Sequence, residues 1–242
     1  LLWLFKPRIV PAFILTSAVV LYNSFTDGYN LRSMIRDYKN LVVTNWNARD
    51  HKEKDLYLIK PTLFDSGVEK ALKGLKSKMN HQDSIVRNFA VTHSIEYFDD
   101  YHSKYGPIVR YLSLFKYINN NFKYVSDSEK DEYYATPMET IENGLGGDCD
   151  DHTILMISAM NAIGAKCRMV LTEDHVYPEL YCGDRKSFNL MQEAITHLFA
   201  NENFSGLYYR EEVGNYWINL DYTARHPGGP YVDNKAYAVE EF

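Results

Sequence analysis

Three observations predict an α+β fold. Apolar residues recur at three- and four-residue steps between about Ser66 and Phe122, a further apolar helical run follows Cys149, and beyond Gly164 the segments alternate and are rich in β-branched and aromatic residues. Helices first, then one central helix, then antiparallel strands is the order of an α+β domain. With 242 residues, 45% hydrophobic and 14% aromatic, the chain can bury a core as one domain, or one domain with an extension.

Taken in order, Ile9–Thr26 carries no charge for 18 residues, the lower limit for a helix that spans a bilayer. We expect residues 1–26 to be a membrane anchor or signal-anchor; a signal-peptide core or a buried helix is the alternative, since Pro11, Thr16, Ser17 and Asn23 interrupt the run. Lys6 and Arg8 precede it while Arg32, Arg36 and Lys39 follow, so charge does not fix the orientation; we expect the bulk of the chain outside the cytoplasm. The first residue is Leu1 rather than Met, so a longer product is expected. Residues 27–62 are polar and aromatic without a clean period and read as a connection.

Val68, Ala71, Leu72 and Leu75 share a helical face behind an Asp65/Ser66 cap, with Glu69 placed as in a capping box. Asp83–Tyr101 carries Ile85, Phe89, Val91, Ile95 and Phe98 at helical spacing, and a third helix opens near Pro107 with Ile108, Tyr111, Leu112, Phe115, Ile118 and Phe122. FKYVSD reads as a short strand, and Thr136 and Pro137 start a brief helix. From Thr153 an apolar face runs to Ile163, with Gly164 as the stop. AKCRMVLT, HVYPELYC and NYWINLDYT then read as strands, with an inserted helix and a hairpin-like excursion between the last two. The expected division is anchor 1–26, helical N-terminal extension 27–104, and a domain over 105–242.

A net charge of -6 offers no general attraction to phosphate, so nucleic acid is excluded as a first partner. Three cysteines, without a CxxC pair, make neither a disulfide framework nor a structural zinc site. Cys167 and Cys182 fall on neighbouring predicted strands and read as core, with a disulfide open only in an oxidising compartment.

The remaining cysteine stands in NGLGGDCDDHTILM, at the mouth of a helix. A helix start lowers a thiol's pKa and an adjacent histidinium lowers it further, which yields the nucleophilic thiolate. Gly146 and Gly147 let the backbone turn and leave the sulfur open, and Asp148 caps the helix. Asp150 and Asp151 oppose a thiolate by like charge, so they are expected to point away or to meet a cation. Asp148, Asp150, Asp151 and His152 lack recognised metal-ligand spacing, and no metal is expected.

A nucleophilic thiol needs a base and an orienting group. Among eight histidines, His175 alone opens a strand directly after the strand that follows the Cys149 helix. His152 lies three residues on from Cys149, along the surface of the same helix rather than over the sulfur, and His226 is the reserve. Asp221, at the end of the apolar strand YWINLD, is the candidate orienting carboxylate; an ordinary turn-forming aspartate is the alternative.

The stretches GGDCDDHTILMISAMNAIGAKCRMVL, HVYPELY and YWINLDYTA, in that order, resemble the transglutaminase-like superfamily, a branch of the papain-type cysteine enzymes. YATPMETIENGLGGDCDDH and ARHPGGPYV resemble its microbial members, and the resemblance runs from about Pro107 to Val232. It implies a helix bearing the cysteine packed on an antiparallel sheet, a Cys149, His175 and Asp221 triad, and acyl transfer on amides. The stretch between His175 and Asp221 is longer than in compact members, and Pro178 interrupts the histidine strand, which predicts an edge or a bulge.

The activity expected is hydrolysis of peptide or protein amides through a thioester, without metal or organic cofactor. The alternatives are a protein-crosslinking transglutaminase and a membrane-tethered, non-catalytic binding module. Oxyanion donors are expected from the Cys149 N–H and from Asn143, Tyr133 or Tyr134. The expected partners are a peptide or protein substrate and a membrane reached through residues 9–26.

Overall fold

The structure, a computed structural model, describes residues 51–59, 66–126, 133–202 and 206–242. The expected anchor and the Asp65 cap lie outside these residues. Among the described residues no helix is long and apolar enough to cross a membrane. The architecture is α+β, as the order of elements predicts. Labels below follow chain order among the described residues.

Helix α1 (Ser66–Lys78) and helix α2 (Ser84–Ser94) come first. Asp83 caps α2, its Oδ1 accepting the N–H groups of Ile85 at 2.7 Å and Val86 at 3.3 Å. The helix predicted over Asp83–Tyr101 stops at Ser94. Ser113 causes this: its hydroxyl donates to the His93 carbonyl at 2.7 Å and accepts the Tyr97 N–H at 3.0 Å, and Phe98 then takes a left-handed conformation, φ 63°. A short helix α3 (His102–Tyr105) leads to α4 (Ile108–Asn121), which buries Val109, Leu112, Phe115 and Ile118. Helix α5 (Pro137–Glu142) carries a complete capping box between Thr136 and Glu139.

Helix α6 (Cys149–Ala162) is the centre of the core among the described residues. Every residue from Asp150 to Met160 is buried, the signature of a helix enclosed on all sides. It stops at Gly164 (φ 85°), where the Ala165 N–H reaches back to the Met160 carbonyl at 3.0 Å. Leu75 of α1 and Ala90 of α2 pack in the same apolar cluster as Ile154, Leu155 and Met156 of α6.

The strands are β1 (His51–Glu53), β2 (Tyr57–Leu58), β3 (Lys123–Tyr124), β4 (Gly146–Gly147), β5 (Cys167–Leu171), β6 (Val176–Gly183), β7 (Leu207–Glu212), β8 (Asn215–Asn219), β9 (Lys235–Ala236) and β10 (Ala238–Glu241), with helix α7 (Arg185–Leu198) between β6 and β7. The main sheet has the order β1-β7-β8-β6-β5-β10. Its five strands from β7 to β10 pair antiparallel, as predicted; β1 adds to the edge in parallel, from a segment read as a connection. The excursion predicted before NYWINLDYT is α7 followed by β7, which is a full member of the sheet.

Alternation along the strands sorts the two faces. Cys167, Met169, Leu180, Cys182, Tyr216 and Ile218 face the helical cluster, while Val170 and Tyr177 pack behind the sheet with Ala236. Cys167 and Cys182 are both free and buried, and burial pushes both thiols up. Pro178 occupies an inner strand, not the expected edge, and the bulge sits at Tyr181–Gly183 instead. The ladder explains the tolerance. The Pro178 carbonyl accepts the Leu220 N–H at 2.9 Å, so its missing N–H faces β8 just where that ladder ends.

Behind the sheet, Glu179 is fully buried between two arginines, accepting Arg168 Nε at 2.7 Å and Arg210 Nη1 at 2.6 Å. Arg168 also makes a fork to Glu212 at 2.7 and 2.8 Å, and the Arg210 guanidinium stacks 3.9 Å from the Tyr231 ring centre. Removing a buried ionic partner leaves a charge without compensation, at about 3–5 kcal/mol. Glu179→Ala is therefore expected to lower the melting temperature by roughly 10 °C at this chain size. A scanning-calorimetry shift within 2 °C of the parent, roughly half a kcal/mol, would show that the network does not hold this face.

Candidate active site

The helix mouth is built by backbone constraints before any chemistry. Gly144 (φ 74°) and Leu145 (φ 62°) make the turn out of α5, so the sharp bend lies just before the expected Gly146–Gly147 pair. Those two glycines form β4, parallel to β3. Gly147 is needed for closeness, since a Cβ there would collide with the Asp151 carboxylate. Asp148 caps α6, accepting the Asp150 N–H at 3.2 Å, and Asp151 returns to the N–H groups of Asp148 at 3.4 Å and Ala135 at 2.8 Å. Cys149 is the first helical residue, so its own N–H has no intrahelical acceptor.

The three carboxylates of Asp148, Asp150 and Asp151 gather within 4.8 Å of one another. From sequence these carboxylates are expected to point away from the sulfur or to meet a cation; the structure adds a third means of easing the conflict, burial. Burial, followed by the hydrogen bond and charge of Asp148, pushes Asp150 up to about 9, which favours its neutral form. Asp148 and Asp151 spend their charge on N–H groups at the positive end of the helix.

His175 closes a tight turn between β5 and β6. Its carbonyl accepts both the N–H and the hydroxyl of Thr172, each at 2.8 Å. Its Nε2 donates to Asp221 Oδ2 at 2.7 Å, and Thr223 Oγ1 donates to the same oxygen at 3.1 Å. The segment carrying Asp221 is pinned from two sides: its N–H goes to Asn219 Oδ1 at 2.9 Å, and Asn119 of α4 donates to the carbonyls of Tyr222 and Ala224 at 3.3 and 2.8 Å. Burial opposes a charge on His175, but hydrogen bonds to Asp221 and Cys149, and the charges of both, overcome it and hold the imidazole up at about 9. With Nε2 taken by Asp221, Nδ1 is the nitrogen left for the sulfur. Thr153 ties the two segments together, its hydroxyl lying 2.8 Å from the Cys149 carbonyl and 3.1 Å from that of Val176.

Cys149 is half-buried and lines a cleft of about 240 Å³ with His175 and Asp150, walled by Ala71 and Leu75 of α1, Tyr134, and Leu171–Val176. The structure thus brings together the three residues selected from sequence and leaves the sulfur reachable. Of the expected oxyanion donors, Tyr134 lines the cleft, its ring against the α1 backbone where a Cβ on Gly74 would come within 2.6 Å. Asn143 is an exposed residue capping the end of α5 and is not part of the cleft lining; Tyr133 is exposed, its hydroxyl on Glu139 at 3.0 Å. His226 is buried on its loop, Nδ1 donating to the Pro227 carbonyl at 2.9 Å. His152, placed along the helix surface by sequence, is fully buried because that surface is itself enclosed. Sequence reasoning passed over Thr223 and Tyr222; their position directly after Asp221 was the available signal.

The sequence model of the family described as the transglutaminase-like superfamily matches residues 100–222, a span that holds Cys149, His175 and Asp221. No curated protein and no solved structure matches the chain.

A folded-state pKa near 9 against an ordinary 6.5 means that the folded protein binds the His175 proton more tightly. The resulting stability, of order 3 kcal/mol, is complete below about pH 6.5 and is lost as pH rises through 9. The melting-temperature gap between the parent and His175→Ala should therefore narrow from pH 6 to pH 9.5. A gap that stays constant or widens over that range would contradict the buried imidazolium.

Proposed function

The chain belongs to the transglutaminase-like superfamily, and from that premise we propose that it is a cysteine-dependent acyl-transfer enzyme hydrolysing peptide or protein amide bonds. The observation that carries this reading is the 2.7 Å bond from His175 Nε2 to Asp221 Oδ2, with the half-buried Cys149 sulfur against the same imidazole on an open cleft. Asp221 fixes the ring so that Nδ1 faces the sulfur, and a cation beside a sulfur favours the thiolate.

The thiolate attacks the amide carbonyl carbon, and negative charge moves to the carbonyl oxygen. The N–H of Cys149, which has no acceptor within its own helix, and the first-turn dipole of α6 stabilise that oxygen, with Tyr134 as the second donor we assign from the cleft wall. As the C–N bond breaks, the His175 imidazolium protonates the leaving amine and a thioester forms. His175, now neutral, takes a proton from water as the water attacks; the thioester C–S bond breaks, the acid leaves, and the thiolate and imidazolium are restored. Every step uses atoms of the chain, the substrate and water. An amine in place of water would give crosslinking from the same thioester, but an amine must be bound whereas water is always present.

Labelled iodoacetamide at pH 6 tests the reactive pair. Cys149 is expected to alkylate rapidly in the parent and at least about a hundredfold more slowly in His175→Ala, and Cys149→Ser is expected to abolish amide cleavage. Reaction at the rate of an ordinary thiol in both proteins would instead support a non-catalytic binding module. We further propose that residues 9–26 anchor this domain to a membrane, outside the cytoplasm. The full chain should then stay in membranes through an alkaline carbonate wash and be cleaved by protease added to intact cells; release by the wash would refute the anchor.

A further inference from the structure

One buried group near the site has no role in the reaction above. His152 sits one helical turn after Cys149, is fully buried, and is walled by the rings of Phe122 at 4.9 Å and Tyr222 at 5.3 Å, both edge-on. Burial holds it neutral, with a pKa near 4, and the charged groups that act on it are Asp221 and His175. A neutral imidazole always carries one N–H donor and one bare nitrogen. Neither nitrogen of His152 has a hydrogen-bond partner among the described residues.

The same neighbourhood holds two acceptors in the same condition. Asp221 Oδ2 receives His175 and Thr223, but Asp221 Oδ1 is buried with no partner. Asn119 Oδ1 is also buried and unpartnered, while its amide holds the carbonyls of Tyr222 and Ala224. An isolated buried polar group costs about 1–3 kcal/mol, and native proteins seldom leave one. These groups lie around Tyr222, whose ring packs on His152 and whose carbonyl is held by Asn119, directly after Asp221 in the chain. A single water accepting from the His152 N–H and donating to Asp221 Oδ1 and Asn119 Oδ1 would give each of these three atoms a partner, and three partners are what a buried water ordinarily has.

We propose that His152 is a positioning residue for the reactive set: through one buried water it holds Asp221 Oδ1, so that both carboxylate oxygens are fixed and the plane facing His175 cannot turn. This rests on the acyl-transfer reading, in which His175 must keep Nδ1 on the sulfur. A carboxylate held by one oxygen can rotate about its own C–C bond; one held by both cannot.

The test reads Cys149 alkylation against pH, together with amide turnover. His152→Phe keeps the aromatic shape and deletes the N–H, while His152→Gln keeps a donor. His152→Phe should fold, slow alkylation and kcat by on the order of tenfold or more, and leave KM within about twofold, with His152→Gln recovering much of the loss. In an Asp221→Ala background His152→Phe should add nothing. Parent-like rates in His152→Phe, or an equal loss with and without Asp221, would overturn the proposal. Should His152→Phe not fold, a high-resolution crystal structure of the parent decides: density for a water between His152, Asp221 and Asn119 supports it, and its absence refutes it. Failure of the acyl-transfer reading is separate, since it shows as parent Cys149 reactivity independent of His175.

Discussion

The contact on which the site depends is the buried bond between His175 and Asp221, and the sheet makes it inevitable once its register is set. His175 directly precedes β6 and Asp221 follows the last residue of β8 by two. Because these strands run antiparallel with Glu179 opposite Asn219, the start of one and the end of the other meet at the same end of the sheet. A slip of one residue would turn every side chain of a strand to the wrong face, exposing Ile218 and Leu180 and burying polar neighbours. The hydrophobic pattern that stabilises the core is therefore also what aims the imidazole.

Cys149 is set against this pair by a different constraint. Helix α6 is enclosed along Asp150–Met160, so it has no freedom to roll, and Thr153 couples its first turn to the carbonyl of Val176, the residue after His175. Interiors packed to this density transmit small displacements rather than absorbing them. The acidic cluster at the helix mouth fits the same logic. All three carboxylates accept backbone N–H groups of the first turn, and burial favours the neutral form of Asp150, so the helix start is anchored with less negative charge than three aspartates would otherwise set there.

Much of this was legible in the sequence because the relevant signals are local. A glycine pair, a capping aspartate and an apolar helical run announce the Cys149 helix, and a histidine and an aspartate at strand ends follow from alternation. What could not be read depends on the third dimension. That Ser113 ends α2 early is a contact between helices. That Pro178 is tolerated inside the sheet depends on which neighbour its missing N–H would face. That β1 joins the sheet edge in parallel comes from a polar segment without periodicity, whose pairing is decided by β7 rather than by its own composition. Burial of His152 and the upward push on the Asp150 carboxyl are likewise collective, since each depends on how many elements close over a helix whose own pattern is merely apolar.

Helix α1 lies before the stretch that matches the superfamily, yet Ala71 and Leu75 wall the cleft and Gly74 carries the ring of Tyr134. Leu75 belongs to the same apolar cluster as Ile154 and Leu155 of α6. Burying such a side chain contributes on the order of 2 kcal/mol, so α1 is held in place by the core it covers. The cleft therefore has one wall from the sheet end that bears His175 and another from a helix outside the matched region. Chemistry and access are set by different parts of the chain: the matched part supplies sulfur, imidazole and carboxylate, while the width of the opening follows from how closely α1 can approach Tyr134, an approach that a glycine at position 74 permits.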